Sequence, residues 1–351
     1  MKICFVIKNL NTTDGGGRFS YDLVSNLRKV GEEVSVLTHS DILKNPWINF
    51  FKIRKILKNS DIIHAVDIWP NGFYARLISL WLKKPVVVTA LGTYSVAPFY
   101  SWRRPLAKWV LRTIQLTVIS NYTKEKILEI IPNLDIKVIC PGFDLGFWSG
   151  EQPNNDEIVG LKPYILSVGA LKSRKGYLNS IAAFIIAAKK TDNLNYVIIG
   201  QGEESGYAKK LKKIIRENHL EKRVFFISDG IDDKKLLGFY RNAELFVLTP
   251  IEENHHFEGF GIVYLEAAAS GLPIIASWGS GAESAVSDGF NGILTPQNNP
   301  EAAADVIVKI ISNRALKSKF ENNSREWVKN FSWDKVISSY TEIYNAHVKH
   351  N

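Results

Sequence analysis

Short apolar runs alternate with amphipathic helical patterns along almost the whole chain of 351 residues. In the first half these strand-like runs lie near residues 2–7, 33–38, 61–66, 85–90, 116–120 and 136–140. In the second half they lie near residues 164–168, 196–199, 223–226, 245–248 and 273–276. Regular alternation of strand and helix predicts βαβ units, so we expect an α/β fold of parallel sheets with helices on both faces.

A break in this pattern divides the chain. Between Gly142 and about Lys162 the sequence is rich in Gly, Pro, Asn and acidic residues, including the run Glu151–Asp156. Such a segment is typical of a linker, and this length suits two domains better than one core. We therefore predict two doubly wound domains followed by an N-capped helix. The predicted bounds are 1–145 for the first domain, 146–162 for the linker, 163–330 for the second domain and 331–351 for the terminal helix.

Composition favours a soluble globular protein, with 46% hydrophobic and 23% charged residues. No apolar run reaches membrane-spanning length, and Met1–Ile7 predicts a buried strand rather than a signal peptide. The two cysteines, Cys4 and Cys140, lie in strand-like runs. We expect them to be reduced and buried, in a cytoplasmic protein.

The net charge of +9 is confined to the first half. Residues 1–150 hold 20 Lys and Arg against 11 Asp and Glu, whereas the rest of the chain is balanced. A basic half indicates an anionic partner, either membrane lipid or nucleic acid. No segment resembles a nucleic-acid-binding module, so no nucleic-acid partner is expected.

Two carboxylates eight positions apart, Glu258 and Glu266, bracket the Gly259–Gly261 segment that opens an apolar helical pattern. Free amides and the positive dipole at a helix start favour a diphosphate, and glycines allow it to approach closely. The carboxylates can accept hydrogen bonds from sugar hydroxyls. An isolated Glu pair at this spacing is more often part of an ordinary amphipathic helix, so the accompanying motifs decide the interpretation.

Together with the Ala-Ala-Ala-Ser-Gly-Leu-Pro that follows Glu266, this motif resembles the signature of the retaining GT-B glycosyltransferases of the "group 1" family. Weaker motifs fit in order and spacing from Lys2 to Tyr344. The resemblance implies two Rossmann-like domains facing a cleft, with the acceptor bound by the first, the nucleotide sugar by the second, and the C-terminal helix crossing back to the first. It implies transfer of a hexose-type sugar with retention and without a covalent nucleophile.

The resemblance also assigns roles to residues of the second domain. Glu258 would bind the transferred sugar, Glu266 the ribose, and Lys175 the diphosphate. The amides that would join Lys175 are those of Gly259, Phe260, Gly261, Ile262 and Val263. The loop that follows the second domain's first strand carries three cations, Lys172, Arg174 and Lys175. They can stabilise a departing diphosphate, or they are simply a run of solvated charges.

The chain departs from the family pattern at two positions. The family commonly has Arg where this chain has Ala170, which leaves Lys172 and Arg174 as candidates for the missing cation. It often has His where this chain has Leu91.

Candidates for the first domain's contacts follow from these departures and from a glycine-rich turn. Gly15, Gly16 and Gly17 follow the first strand, which suits a tight turn as well as a phosphate loop. The resemblance places them against the donor phosphates and the acceptor. In place of an imidazole at Leu91, either Thr93 or Tyr94 contacts the donor or acceptor, or the cleft handles a sugar that needs no imidazole. His64 either packs in the core or lines the cleft.

No metal or other cofactor is expected. The chain has no Asp-x-Asp, the usual divalent-ion motif of the other glycosyltransferase fold, and adjacent His255 and His256 rarely converge on one ion in a loop.

An amphipathic segment from Trp102 to Arg112 suggests a contact surface. Aromatic and apolar residues share one helical face, and the basic residues share another. A helix starting near Arg103 would either lie at an anionic membrane or pack its Trp into the core. The residues expected at the membrane are Trp102, Arg104, Lys108, Trp109 and Arg112.

The sequence leaves several alternatives open. UDP-sugar is favoured over GDP-sugar, and the acceptor is a saccharide or a lipid-linked saccharide in glycan or cell-surface polysaccharide biosynthesis, such as lipopolysaccharide. The rival hypotheses are a weak or silent nucleotide- or carbohydrate-binding homologue and an NAD-dependent dehydrogenase. The dehydrogenase would need a third glycine after Gly17, which Phe19, Ser20 and Tyr21 do not supply.

Overall fold

The computed structural model describes residues 1–12, 14–43, 53–148, 150, 160–202, 205–228 and 231–348. The chain forms two compact units, each built on one six-stranded parallel sheet. The first unit comprises Met1–Gly142 and Phe331–Asn351, and the second comprises Phe143–Asn330. The predicted α/β class is therefore confirmed.

The first unit contains strands β1 to β6, helices α1 to α6 and the last helix, α14. The strands are β1 Lys2–Ile7, β2 Glu33–Thr38, β3 Ile62–Val66, β4 Val86–Ala90, β5 Gln115–Val118 and β6 Ile136–Val138. The helices are α1 Gly15–Lys29, α2 His39–Leu43, α3 Phe73–Leu82, α4 Thr93–Val96, α5 Arg104–Leu111, α6 Asn121–Ile130 and α14 Trp333–Val348, with shorter turns at Ile68–Gly72 and Ala97–Tyr100.

The second unit contains strands β7 to β12 and helices α7 to α13. The strands are β7 Tyr164–Val168, β8 Asn195–Ile199, β9 Val224–Ile227, β10 Leu245–Val247, β11 Ile274–Ser277 and β12 Gly292–Thr295. The helices are α7 Leu145–Trp148, α8 Tyr177–Ala187, α9 Gly206–Glu217, α10 Asp233–Asn242, α11 Ile262–Ala269, α12 Pro300–Ser312 and α13 Arg314–Trp327, with 3-10 turns at Ser173–Lys175 and Gly281–Ser284.

The strands form because their side chains are β-branched or aromatic and are covered by helices on both faces. In β1 every residue from Ile3 to Ile7 is fully buried. Helix α1 buries Phe19, Leu23 and Leu27, whose spacing of four places them on one helical face. The Asp14 carboxylate caps this helix by accepting a hydrogen bond from the Gly17 amide at 2.8 Å.

The strand order places one topological switch point in each sheet. The first sheet runs β2-β1-β3-β4-β5-β6, so the chain reverses its winding direction between β1 and β3. The second runs β12-β11-β10-β7-β8-β9 and reverses between β7 and β10. Open parallel sheets bind ligands beyond the carboxyl ends of the strands at such a point.

The terminal helix α14 packs on the first sheet through two buried tyrosines. Tyr344 hydrogen-bonds His64 Nδ1 at 2.6 Å, and Tyr340 hydrogen-bonds Thr89 at 3.0 Å. The other His64 nitrogen, Nε2, lies 2.8 Å from Thr89 Oγ1. Burial lowers the pKa of His64 to about 3, so the ring is neutral. His64 is thus a core residue with no exposed ring atom, as the packing interpretation predicted.

Two details of the fold differ from the sequence-based expectations. The second sheet has a sixth strand, β12, where only five strands were predicted. Helix α5 begins at Arg104 with Arg103 at its N-cap, as predicted, but Trp102 lies before the helix and is 74% exposed. The buried face of α5 consists of Ala107, Val110 and Leu111 rather than the predicted aromatic face.

The start of the second unit includes residues assigned by sequence to the first domain and the linker. Trp148 is 5% exposed and packs edge-on against Tyr240 at 5.4 Å, and its carbonyl accepts a hydrogen bond from Arg241. Residues 149 and 151–159 of the predicted linker lie outside the described residues, as do 229 and 230. Within the described ranges, no helix is long and apolar enough to cross a bilayer.

We predict that Tyr344→Phe destabilises the first unit. Removing the hydroxyl leaves His64 Nδ1 buried without its hydrogen-bond partner, which costs about 1–3 kcal/mol. Denaturant unfolding of the full chain measures the change. Tyr21→Phe, on the exposed side of α1, is the matched control. Equal unfolding curves for the two variants would contradict the prediction.

Candidate active site

The loops that follow β7 and β10 meet at the switch point of the second sheet. After β7 the chain forms the turn Ser173–Lys175, and after β10 it runs from Thr249 to the start of α11. The Ile251 amide donates to the Arg174 carbonyl at 3.0 Å and joins the two loops. Strand order therefore brings together side chains that are far apart in sequence.

A buried carboxylate with two cations forms the centre of this site. Glu258 is 7% exposed, and its Oε2 accepts from Arg174 Nη1 at 2.6 Å and from Lys175 Nζ at 2.8 Å. Arg174 Nη1 also donates to the Phe257 carbonyl at 3.3 Å. One negative and two positive charges leave the cluster with an excess of one positive charge. Oε1 of Glu258 has no hydrogen-bond partner among the described residues.

The two cations keep Glu258 ionised. Burial by itself would raise the pKa of this carboxyl, but the charges and hydrogen bonds of Lys175 and Arg174 lower it below its ordinary value. Because the folded pKa is lowered, the ion pairs stabilise the protein at neutral pH and are lost only as the solution becomes acidic enough to protonate the folded-state carboxyl.

Close backbone packing holds the Glu258 loop in place. The Gly281 amide donates to the Glu258 carbonyl at 2.8 Å. A Cβ on Gly281 would lie 2.1 Å from the Gly259 carbonyl oxygen, so only glycine fits. Gly261 has φ +84, and a Cβ there would lie 2.5 Å from the Tyr264 ring. These two glycines fix the turn that places Glu258 immediately before α11.

The start of α11 offers several unpaired amides beside the cations. No side chain caps the helix, and the Tyr264 amide donates to the Gly261 carbonyl at 3.0 Å. At this helix start, four amides have no hydrogen-bond acceptor among the described residues: those of Gly259, Gly261, Ile262 and Val263. Phe260, also predicted here, has a buried side chain. Free amides, a helix dipole and excess positive charge together make an anion-binding surface.

Arg174, rather than Lys172, supplies the second cation. The turn after β7 directs Arg174 and Lys175 to the same oxygen of Glu258, whereas Lys172 is exposed and has no partner among the described side chains. The second cation of the Glu258 cluster is thus a guanidinium four residues after Ala170.

Glu266 lies one turn inside α11 and is half-buried. Its Oε2 accepts a hydrogen bond from the Tyr240 hydroxyl at 2.7 Å. Burial raises the pKa of Tyr240 well above its ordinary value, so this hydroxyl remains a donor. Tyr240 therefore fixes the orientation of the predicted ribose-binding carboxylate.

The histidines beside Glu258 lie in a tight exposed turn. Asn254 and His255 have positive φ, and Glu253 pairs with His256 through both backbone hydrogen bonds. Among the residues described, no three His, Cys, Asp or Glu side chains are grouped as ligands for one metal ion. Independence from a metal stays a prediction.

The first unit places most of its predicted residues at the carboxyl edge of its own sheet. Gly15, Gly16 and Gly17 form the first turn of α1, and the amides of Gly15 and Gly16 have no acceptor among the described residues. Thr93 and Tyr94 open α4, where Thr93 is buried and Tyr94 is 64% exposed. His64 lies in the core instead.

Asp67 was not among the predicted residues, although it follows β3 directly at this same edge. The signal available in the sequence was an acidic residue at the end of an apolar strand-like run. Its unusual backbone conformation, φ 70, could not be inferred from that pattern.

Two family models match the chain. One described as "Glycosyl transferases group 1" matches residues 150–327, and one described as "Glycosyltransferase Family 4" matches residues 40–147. The first contains Lys175, Glu258 and Glu266.

The chain is also similar to individual proteins, at sequence identities below 30%. An uncharacterized glycosyltransferase of Methanocaldococcus jannaschii is 28% identical over 302 residues, which cover 85% of this chain and 79% of that protein. A GDP-mannose-dependent phosphatidylinositol monomannoside mannosyltransferase of Mycobacterium tuberculosis is 25% identical over 253 residues, covering 68% of this chain and 65% of that protein. The solved structure of HepE from Anabaena, in complex with UDP and glucose, has a TM-score of 0.76 at 19% identity, covering 99% of this chain and 100% of HepE. This likeness confirms the predicted GT-B fold.

Proposed function

Because the chain belongs to the glycosyl transferases group 1 family and is a glycosyltransferase of the GT-B type, we propose that it transfers a hexose-type sugar from a nucleotide diphosphate sugar with retention of configuration. The acceptor in this proposal is a saccharide or a lipid-linked saccharide used in glycan or cell-surface polysaccharide synthesis. The enzyme is expected to be cytoplasmic and to need no divalent ion.

The observation that carries the proposal is the Glu258 cluster beside the uncapped start of α11. Lys175, Arg174 and the free amides suit a diphosphate, which carries the negative charge that this surface lacks. The unpaired Oε1 of Glu258 can accept a hydrogen bond from a hydroxyl of the transferred sugar. Glu258 would then hold the sugar and the phosphate-binding cations in one arrangement.

In the proposed reaction the bond between the anomeric carbon and the phosphate oxygen breaks. The acceptor oxygen forms the new bond on the same face, and its proton passes to the departing diphosphate. Charge grows on the diphosphate as the bond breaks, so Lys175, Arg174 and the amides stabilise the transition state more than the ground state.

UDP is the favoured nucleotide. HepE, which shares the fold, was solved with UDP and glucose, whereas the mycobacterial relative is named as GDP-mannose-dependent. We therefore take UDP-glucose as the first donor to test and GDP-mannose as the second.

Nucleotide binding distinguishes the proposal from its rivals. We expect UDP, and less so GDP, to raise the thermal midpoint, because a ligand at 100 times its Kd stabilises the folded state by about 2.7 kcal/mol. ADP and NAD should leave the midpoint unchanged. A response to NAD alone would indicate a dehydrogenase, and a response to UDP without release of UDP from UDP-glucose would indicate a silent homologue.

We predict that Lys175→Ala and Arg174→Ala each lower turnover by about 10²- to 10³-fold, the usual effect of removing one charge-stabilising donor. Each variant leaves Glu258 paired with the other cation, so the thermal midpoint should change little. Lys172→Ala is the matched control, since this exposed lysine stands in the same loop. Turnover is measured as release of nucleotide from the donor with and without EDTA. Equal rates for all three variants would refute the assigned roles.

We also propose that the protein contacts an anionic membrane peripherally, through an aromatic–basic surface on the first unit. We define it by Trp69, Trp102 and Arg103, and the same unit holds a second pair of this kind, Arg54 over Trp81. The Arg103 guanidinium lies 5.5 Å from the Trp69 ring centre and 5.3 Å from that of Trp102. Trp102 and Trp81 are 74% and 55% exposed.

Helix α3 of the same unit also presents exposed apolar side chains. Leu77, Leu80 and Trp81 are all exposed and lie within about one helical turn. Trp109 is half-buried, with the Arg76 guanidinium 5.7 Å from its ring centre, while Arg104 and Arg112 are exposed. Exposed tryptophan and leucine among arginines suit the interface of an anionic bilayer, where the rings enter the headgroup region and the cations meet lipid phosphates.

We expect the protein to sediment with vesicles of phosphatidylglycerol and phosphatidylcholine, and to do so less with phosphatidylcholine alone. Trp102→Ala and Trp81→Ala together should lower the vesicle-bound fraction about tenfold, because both side chains insert at the interface. Trp278→Ala is the control, since Trp278 is an exposed tryptophan of the second unit. Equal sedimentation of all variants would contradict the membrane contact.

A further inference from the structure

The switch point of the first sheet brings three chain segments to one edge. Lys8 follows β1, Asp67 follows β3, and the glycine turn Gly15–Gly17 opens α1. Leu91 follows β4 at the same edge, and a Cβ on Gly16 would lie 3.5 Å from its side chain. Open parallel sheets bind ligands beyond the carboxyl ends of the strands where the winding direction reverses, so this edge is the binding position of the first sheet.

Asp67 has a backbone conformation that costs free energy. Its φ of 70 and ψ of 146 are unusual for a residue with a Cβ, and such residues persist only where the surroundings impose them. Here the Asp67 amide donates to the Thr89 carbonyl at 2.8 Å, and the Asp67 carbonyl accepts from the Gly72 amide at 3.1 Å. Strained residues of this kind cluster at binding and catalytic sites.

The Asp67 carboxylate is fixed through one oxygen only. Oδ1 accepts hydrogen bonds from the Ser95 hydroxyl at 2.5 Å and from the Leu91 amide at 3.2 Å. In the described part of the chain, Oδ2 has no hydrogen-bond partner and no cation lies within ion-pair distance of the carboxylate. Burial raises the pKa of Asp67, against the opposing effects of Ser95, Leu91 and the Lys8 charge.

A structural role does not account for this arrangement. The Asp67 side chain makes no capping hydrogen bond to the turn Ile68–Gly72 that follows it. Its bonds to Ser95 and Leu91 need one neutral acceptor oxygen, which asparagine would also provide. Asp67 is half-buried, and its free oxygen Oδ2 is not sealed from solvent, so a ligand at this edge of the sheet can reach it.

We propose that Asp67 is an acceptor-binding residue, whose Oδ2 accepts a hydrogen bond from a hydroxyl of a polyhydroxylated acceptor. This inference rests on the proposed glycosyl transfer. It also accounts for Leu91, whose side chain cannot bond a hydroxyl but whose amide helps to orient the carboxylate that does. The acceptor hydroxyl is thereby held by a rigid group at the end of β3.

The test compares Asp67→Asn with the wild type, using Asp135→Asn as the matched control. Asp135 is an exposed aspartate of the same unit that precedes β6, at the opposite edge of the sheet. Nucleotide release from UDP-glucose is measured without an acceptor and with a panel of glucose, mannose, myo-inositol and octyl glucoside. The same panel is run with GDP-mannose. Thermal midpoints are recorded for each protein.

Asp67→Asn should keep the thermal midpoint, the donor KM and the release seen without an acceptor, while the KM of the stimulating acceptor rises about 10- to 100-fold. Asp135→Asn should behave as wild type throughout. An unchanged acceptor KM in Asp67→Asn overturns the inference, and so does a parallel loss of thermal midpoint and donor use, which marks a structural residue. If wild-type protein releases no nucleotide from either donor, the proposed function itself fails.

Discussion

The bridge from Glu258 to Arg174 and Lys175 is the interaction on which the second unit's chemistry depends. Two cations so close together would repel each other and draw solvent into the site, so the carboxylate is needed to hold them side by side. Since it neutralises only one of them, the site keeps a positive charge beside the open amides of α11. A buried pair of one carboxylate and one cation would be stable, but it would have no net charge with which to attract an anion.

The two units present different chemical groups to a ligand at their switch points. In the second unit, glycines allow close backbone packing, and the start of α11 has unbonded amides beside Lys175 and Arg174. This arrangement suits an anionic group. In the first, a strained aspartate and a glycine turn present a carboxylate oxygen and two amides, which suits neutral hydroxyls as well as phosphate. Both sets of groups stand at switch points because the reversal of winding opens a gap there between neighbouring loops.

Local patterns predicted most of the fold, and long-range geometry decided the rest. Eleven strand-like runs stood out because their β-branched residues are buried on both faces. By contrast, β12 is only Gly292–Thr295 and follows turn signals at Asp288–Gly292, so it resembled a loop. The resemblance identified Glu258 and Lys175, but the choice of Arg174 over Lys172 depends on the short turn after β7. The sequence did not predict Asp67 as a site residue, because the residues around an aspartate do not indicate that its φ is positive. The exposure of Trp102 depends on the residue at which α5 begins.

The return of α14 to the first sheet has a consequence for engineering. Tyr340 and Tyr344 complete the core around His64, so the first unit cannot complete its folding until α14 has been synthesised. The second unit is a continuous insertion, Phe143–Asn330, with its own sheet and its own core. It should therefore be exchangeable as one cassette between homologues, provided that both junctions are cut, whereas a chimera made at a single crossover would separate α14 from the surface it evolved to cover.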